Sequence, residues 1–169
     1  HKTEDYLSSI SKDEGSSSIT ENHIAEEAKF DLTVIIPVYN TEAFLDKCIQ
    51  SVLNEKTDYT ICVTIVNDGS TDNSDAIIQR YSSDPRVRVI RQKNKGLSGA
   101  RNAGLKRIES RYVSFLDSDD CLPEDGTSLD TLIKAADKFN ADIVQGGWET
   151  FEDDVTVSFI QTAFCSNAK

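Results

Sequence analysis

At 169 residues the chain has room for one domain with a buried core and a short appendage. Its 29 acidic against 18 basic residues, a formal net charge of −11, argue against a nucleic-acid partner held by phosphate neutralisation and against docking on anionic lipid. No apolar stretch approaches the roughly 20 residues that span a bilayer, and no secretory signal opens the chain, so a cytoplasmic setting is expected, with membrane association only through segments outside this chain.

Residues 1–30 are polar and Ser-rich, and Gly15-Ser16-Ser17-Ser18 reads as linker. Ile24, Ala25, Ala28 and Phe30 suit a short helix leading into a domain over residues 31–169. Leu32–Pro37 is a buried strand stopped by proline, which cannot donate to a central ladder. Thr41 then caps a helix whose apolar positions (Phe44, Leu45, Cys48, Ile49, Val52, Leu53) recur at helical spacing. Thr60–Asn67 is a second strand, and Asp72 to Tyr81 a helix capped by Asp72 with Ala76, Ile77 and Ile78 inward. Val87–Arg91 is a third strand and Ser98 to Ile108 a third helix. Tyr112–Leu116 is continuously β-branched and aromatic, as a strand buried on both faces requires. Leu129 to Phe139 makes a fourth helix and Ala141–Gln145 a fifth strand. Beyond Trp148 the pattern suggests a hairpin with Glu152-Asp153-Asp154 at its tip. Strands alternating with helices predict βαβ units and a mainly parallel α/β sheet with helices on both faces.

Three of the first four strands run into polar signatures: Pro37-Val38-Tyr39-Asn40, Asn67-Asp68-Gly69-Ser70-Thr71-Asp72 and Leu116-Asp117-Ser118-Asp119-Asp120. Before the last lies Asn94-Lys95-Gly96-Leu97-Ser98-Gly99-Ala100-Arg101-Asn102-Ala103-Gly104. In open α/β sheets the carboxyl ends of strands are where ligands bind. This set, in this order, closely resembles the family 2 glycosyltransferases of GT-A (Rossmann-like) fold, over about residues 31–148. The resemblance implies an inverting, metal-dependent enzyme that transfers a hexose or N-acetylhexosamine from a UDP-sugar donor to a glycan or lipid-linked acceptor, in bacterial surface-polysaccharide synthesis.

It also implies roles for particular residues. Asp68 reads the uracil-type base, against the alternative of an Asx-type turn that caps the next helix. Tyr39 lies against the base face, with Pro37 and Val38 beside it offering backbone groups; ordinary packing of a half-buried ring is its alternative. Glu42 stands near the same pocket or complements a helix dipole. Asp119 contacts Mg²⁺ or Mn²⁺, a hard cation that takes oxygen ligands and completes its shell with water and substrate phosphate. Asp117 reaches the ribose or a metal-bound water, Ser118 lines the same site, and Asp120 is an outer acid or a cap. Lys95 and Gly96 approach the phosphates at a helix start. Arg101 holds a phosphate or pairs with Asp117 or Asp119, while Asn102 and Gly104 fit the helix to the sheet.

The family's general base lies well downstream of the D-x-D, so the fold is expected to be cut before that base, beyond Lys169. Glu152, Asp153 and Asp154 come too early to serve. A sugar-nucleotide-binding domain without catalysis is the alternative function. A sugar-nucleotide pyrophosphorylase is disfavoured, because Val38-Tyr39-Asn40-Thr41-Glu42 stands where a Gly-rich basic loop would be needed. Four scattered cysteines without a C-x-x-C pair read as reduced thiols, and two histidines, His1 and His23 in the polar leader, disfavour a histidine catalyst or a zinc site.

Overall fold

A computed structural model of the chain describes residues 28–152, 155–160 and 164–166. The Ser-rich leader and the hairpin-tip residues Asp153 and Asp154 lie outside the described residues. Strands β1 (Phe30–Val38), β2 (Ile61–Asn67), β3 (Val87–Arg91) and β4 (Ser110–Phe115) form a parallel sheet in the order β3-β2-β1-β4. Helices α1 (Leu45–Leu53), α2 (Ser74–Tyr81) and α3 (Gly96–Leu105) connect successive strands, and α4 (Ser128–Phe139) follows β4. The chain steps from β1 out to β3 and then returns to β4 on the other side of β1. That reversal makes the carboxyl ends of β1 and β4 a topological switch point, the preferred ligand crevice of such sheets.

The even-numbered residues of β1 (Leu32, Val34, Ile36, Val38) pack with Val63 and Ile65 of β2 against α1, α2 and α4. On α1 the inward residues Leu45, Cys48, Ile49 and Val52 recur three and four apart, and all are buried. The opposite face is thinner: Ile35 and Val66 meet Ala100 and Ala103 of α3. Ile35 and Ile36 are wholly buried, one on each face, and each such side chain contributes about 1.5–3 kcal/mol relative to exposure.

Five local expectations are corrected. β4 is not buried on both faces: it is an edge strand of the four-stranded sheet, and Val113 and Phe115 are exposed on the α3 face. The expected fifth strand does not extend that sheet, because β5 (Ile143–Gln145) pairs antiparallel with β8 (Phe164–Ser166). Pro37 does not stop β1 but lies inside it, in register with Val66. Its missing N–H falls on the β4 side, where the β1–β4 ladder ends with Leu116 N donating to Ile35 O; the next bond would need a donor at residue 37, while pairing to β2 continues through Val38. Phe44 and Ala76 face solvent, and Ser74 is the buried residue of the first turn of α2. Thr41 does not cap α1 through its side chain; its carbonyl accepts from Phe44 and Leu45, and its hydroxyl is used elsewhere. The hairpin is present as β6 (Trp148–Glu152) and β7 (Val155–Ile160), antiparallel with a register shift at Thr150/Phe151.

Candidate functional site

Four strand ends, not three, converge on the switch point. After β1 the chain exposes Tyr39 (49% accessible) and turns sharply at Asn40, whose φ of 54° is left-handed. Asparagine tolerates that conformation better than most residues. Its side-chain Oδ1 accepts from the backbone N–H groups of Thr71 and Asp72 and from the Thr71 hydroxyl, and its own N–H donates to Ser70 Oγ. Glu42 completes this junction: its N–H donates to Asp72 Oδ2 and its Oε2 accepts from Asn73 N at the start of α2. Glu42 is therefore tied to the start of α2, a neighbouring helix, whereas the sequence offered it the pocket or the dipole of its own helix.

Asp72 also accepts from Ser74 N. Partial burial pushes its carboxyl up, but hydrogen bonds from the Ser74 hydroxyl and from the Glu42 and Ser74 amides outweigh it and hold the group below its ordinary value. The loops after β1 and β2 are thus one cross-linked unit. Tyr39 and Asp68 both leave this unit, with Asp68 N donating to Val38 O at 2.8 Å.

Asp68 is 2% accessible, and its carboxylate is held by donors from the loop after β3. Gln92 Nε2 donates to Oδ1 at 2.7 Å, and Lys95 N lies 2.9 Å from Oδ1 and 3.1 Å from Oδ2. Gly69, at φ 78°, lets that loop approach: a Cβ there would stand 2.9 Å from Asn94 N. The Lys95–Gly96 segment opens α3, whose first turn carries no side-chain cap, and the side chain of Lys95 is exposed. Gly96 N already donates to Asn94 Oδ1 at 3.1 Å, and Lys95 N to Asp68, so an anion at this helix start draws on the N–H groups after Gly96.

β4 delivers the acids. The β1–β4 ladder continues to Leu116 N, which donates to Ile35 O, and Asp117 then leaves the sheet beside β1. Asp120 N donates back to Asp117 O at 3.0 Å and closes a turn. Thr41 Oγ1 donates to Ser118 Oγ at 2.9 Å across the switch point, and Ser118 is buried. Arg101, from α3, donates to Asp117 Oδ1 at 2.7 Å and lies 5.5 Å from the centre of the Phe115 ring. Its Nε is buried without a partner. Arg101 thus makes the pairing with Asp117, one of the two uses considered for it. Asp119 is exposed on the same turn.

Residues 33–166 match the family described as "Glycosyl transferase family 2". The chain belongs to glycosyl transferase family 2. Among its family 2 relatives, the glycosyltransferase GlyA of Streptococcus pneumoniae is 43% identical over 123 residues, covering 72% of this chain and 17% of that protein. A chondroitin synthase of Escherichia coli is 39% identical over 114 residues, 66% of this chain and 16% of that one. In structure, TarS of S. aureus in complex with UDP-GlcNAc aligns with a TM-score of 0.60 at 28% identity, over 67% of this chain and 33% of that one. The chain thus spans about a third or less of these relatives' lengths.

Negative charge collects at the acid turn of this family 2 domain. Burial, and then the charges of Asp119 and Asp117, push the Asp120 carboxyl up. The buried Cys48 thiol, which donates to Asp117 O, is pushed up to about 12 by burial, then by Cys121 and the same three acids. Arg101 answers only part of this negative charge. Among the described residues no three His, Cys, Asp or Glu side chains enclose a metal by themselves. The oxygen-only donor set fits a hard divalent cation whose remaining positions go to water and phosphate.

Sequence reading missed Gln92, because β3 was given no signature of its own; its place directly after the last β3 residue was the available signal. It also missed Asn40 and Thr41 as loop-to-loop ties, since their partners lie 31 and 77 residues away.

Proposed function

We propose that this chain is the donor-binding part, over residues 31–169, of an inverting glycosyltransferase. The enzyme moves a hexose or N-acetylhexosamine from a UDP-sugar to a glycan or lipid-linked acceptor in bacterial surface-polysaccharide synthesis. The observation that carries the proposal is the meeting, at one switch point, of an exposed aromatic ring (Tyr39), a buried carboxylate (Asp68) and an acidic turn answered by one arginine (Asp117, Asp119, Arg101). Those are complements to a base, a base N–H and a metal-bound diphosphate. The UDP-GlcNAc bound to TarS supports the donor class, and the name of the chondroitin synthase supports a polymeric product.

In this reading Tyr39 packs on the base, with Pro37 and Val38 behind it, and Asp68 accepts its N–H. The first turn of α3, from Lys95 and Gly96, and Arg101 take the diphosphate, with Ser118 beside them. Asp119 and Asp117 hold Mg²⁺ or Mn²⁺, which supplies positive charge that stabilises the nucleoside diphosphate as a leaving group. Inversion requires the acceptor hydroxyl to attack the anomeric carbon from the face opposite the nucleotide, with a carboxylate taking its proton. Asp68 is buried and Asp117 is tied to Arg101, so neither is assigned that task. We place the base in sequence beyond the acid turn and this chain. Three free thiols, Cys48, Cys62 and Cys121, fit a reducing, cytoplasmic setting. Among the described residues no helix is long and apolar enough to cross a membrane.

Calorimetric titration with UDP-, GDP- and dTDP-sugars, with and without Mn²⁺, tests the donor. Tightest binding by a UDP-sugar, strengthened by Mn²⁺, is expected. A preference for GDP-sugars, or equal binding with and without metal, would overturn the donor or the metal assignment respectively.

A further inference from the structure

We propose that Gln92 is a specificity-determining residue: with Asp68 it forms a two-residue reader for the imide edge of uracil or thymine, and it selects against cytosine and adenine. The inference rests on the reading that Asp68 faces the nucleotide base.

An ionised carboxylate has about four acceptor positions. In Asp68, Gln92 Nε2 and Lys95 N occupy both positions of Oδ1 and one of Oδ2. One position, on Oδ2, is left for a ligand donor. The carboxylate is buried and held from two directions, so it cannot turn away to suit a different partner.

Gln92 is itself fixed. Its backbone N–H donates to Asn67 O at 3.0 Å and extends the β2–β3 ladder by one residue, while its side chain is only partly buried. A carboxamide nitrogen carries two N–H groups, and one is spent on Asp68 at 2.7 Å. The second is the neighbouring donor. With that second N–H turned to the crevice, Gln92 and Asp68 offer a donor next to an acceptor.

The imide edge of uracil and thymine is the complement, an N–H flanked by carbonyl oxygens. The N–H meets Asp68 and a carbonyl meets Gln92. Cytosine and adenine each set a ring-nitrogen lone pair against a carboxylate that has no proton to offer, leaving a buried acceptor facing another. Guanine shares the donor–acceptor order of the imide, and only its larger purine frame separates it from uracil. Size therefore has to be tested alongside hydrogen-bond order.

The experiment is calorimetry of the chain with UDP, dTDP, CDP, ADP, GDP and inorganic pyrophosphate, all with Mn²⁺. The variants are Gln92→Leu, Gln92→Glu and Asp68→Asn. The wild type should prefer UDP and dTDP to CDP and ADP, with GDP weak. Gln92→Leu keeps the side-chain volume and removes both N–H groups. It should weaken UDP about tenfold or more, toward the affinity of ADP, while pyrophosphate is unchanged; the pyrophosphate arm shows that the fold and phosphate subsite persist.

Gln92→Glu sets a second carboxylate against Asp68. UDP should bind it poorly at pH 8 and better toward pH 6, as the pair takes up one proton and regains a donor. The terminal phosphate of UDP titrates at about pH 6 on its own, so the readout is the affinity of the variant relative to wild type at each pH, and that ratio should rise toward pH 6. If Gln92→Leu keeps the wild-type preference for UDP over CDP while Asp68→Asn loses it, the inference on Gln92 falls and the reading of Asp68 stands. If the wild type shows no preference among bases, or Asp68→Asn leaves the preference intact, the reading of Asp68 falls and the inference falls with it.

Discussion

Gly104 is where the packing of α3, and with it the placement of Arg101, can be tested most directly. A Cβ at this position would stand 2.6 Å from Ile35 Cγ2 and 3.1 Å from both Cγ1 and Cδ1. Ordinary carbon contacts lie at about 3.5–4.0 Å, so Gly104→Ala asks for a displacement of roughly 1 Å. Ile35 is wholly buried in a central strand and cannot yield, so α3 has to lift from the sheet. Overpacking of this kind costs about 1–3 kcal/mol, and the better helix propensity of alanine returns at most about 1 kcal/mol. The net expectation is a loss of about 1–2 kcal/mol, or a fall in Tm of about 3–8 °C, read by urea and thermal denaturation followed by circular dichroism. In an Ile35→Ala background the obstructing atoms are gone, and Gly104→Ala should be neutral or stabilising. An equal cost in both backgrounds, a coupling near zero, would refute the reasoning. Because Arg101 rides on the same helix, UDP affinity should fall with Gly104→Ala and recover in the double variant.

Asp119→Ala removes an exposed acid, so stability should stay within about 0.5 kcal/mol while the Mn²⁺-dependent gain in UDP binding disappears. Unchanged metal dependence would remove Asp119 from the cation site. In Arg101→Met the lost ion pair, with side chains 34% and 41% accessible, is worth at most about 1 kcal/mol of stability, yet UDP should bind about tenfold or more weakly. A large fall in Tm with unaltered affinity would make Arg101 a scaffold residue. The Asp75 carboxyl is held below its ordinary value first by Arg91 and then by Asn67. A folded-state value below the unfolded one, about 3.9, gives stability that is complete above that pH and is lost as pH falls through the lower folded value. Asp75→Asn should therefore flatten stability against pH below about 4, and an unchanged acid limb would contradict it. Cys48, with its thiol pushed up to about 12, should resist maleimide at pH 8 until the protein is unfolded, as mass spectrometry would show.

The sequence was most informative where chemistry depends on neighbours in the chain. The alternation of β1, α1, β2, α2, β3 and α3 follows from apolar period and turn residues, which are local properties, and it recurs in the structure with boundaries shifted by a few residues. The acids at Asp117–Asp120, the turn at Gly69 and the cations of α3 could be read as a donor site because their types and spacing are local too. The errors arose where a neighbour in space decides. The run from Tyr112 to Phe115 looks buried on both faces, yet half of it is exposed because β4 is an edge strand and α3 covers only the β1–β2 side of that face. Pro37 looks like a terminator, but whether a missing N–H matters depends on which side of β1 is still paired at that residue.

By itself, then, the sequence determined the element order, the family and the identity of the charged groups that leave each strand. Periodicity and turn chemistry are encoded within a few residues. Only the tertiary structure decided what those groups do to one another. It bound Asp68 to Gln92 and Lys95, gave Arg101 to Asp117, spent Glu42 on the start of α2, and joined Thr41 to Ser118 across the switch point. Each of these bonds spans 16 to 77 residues, and which partners meet at such separations is set by sheet order and by the packing of the helices between the strands.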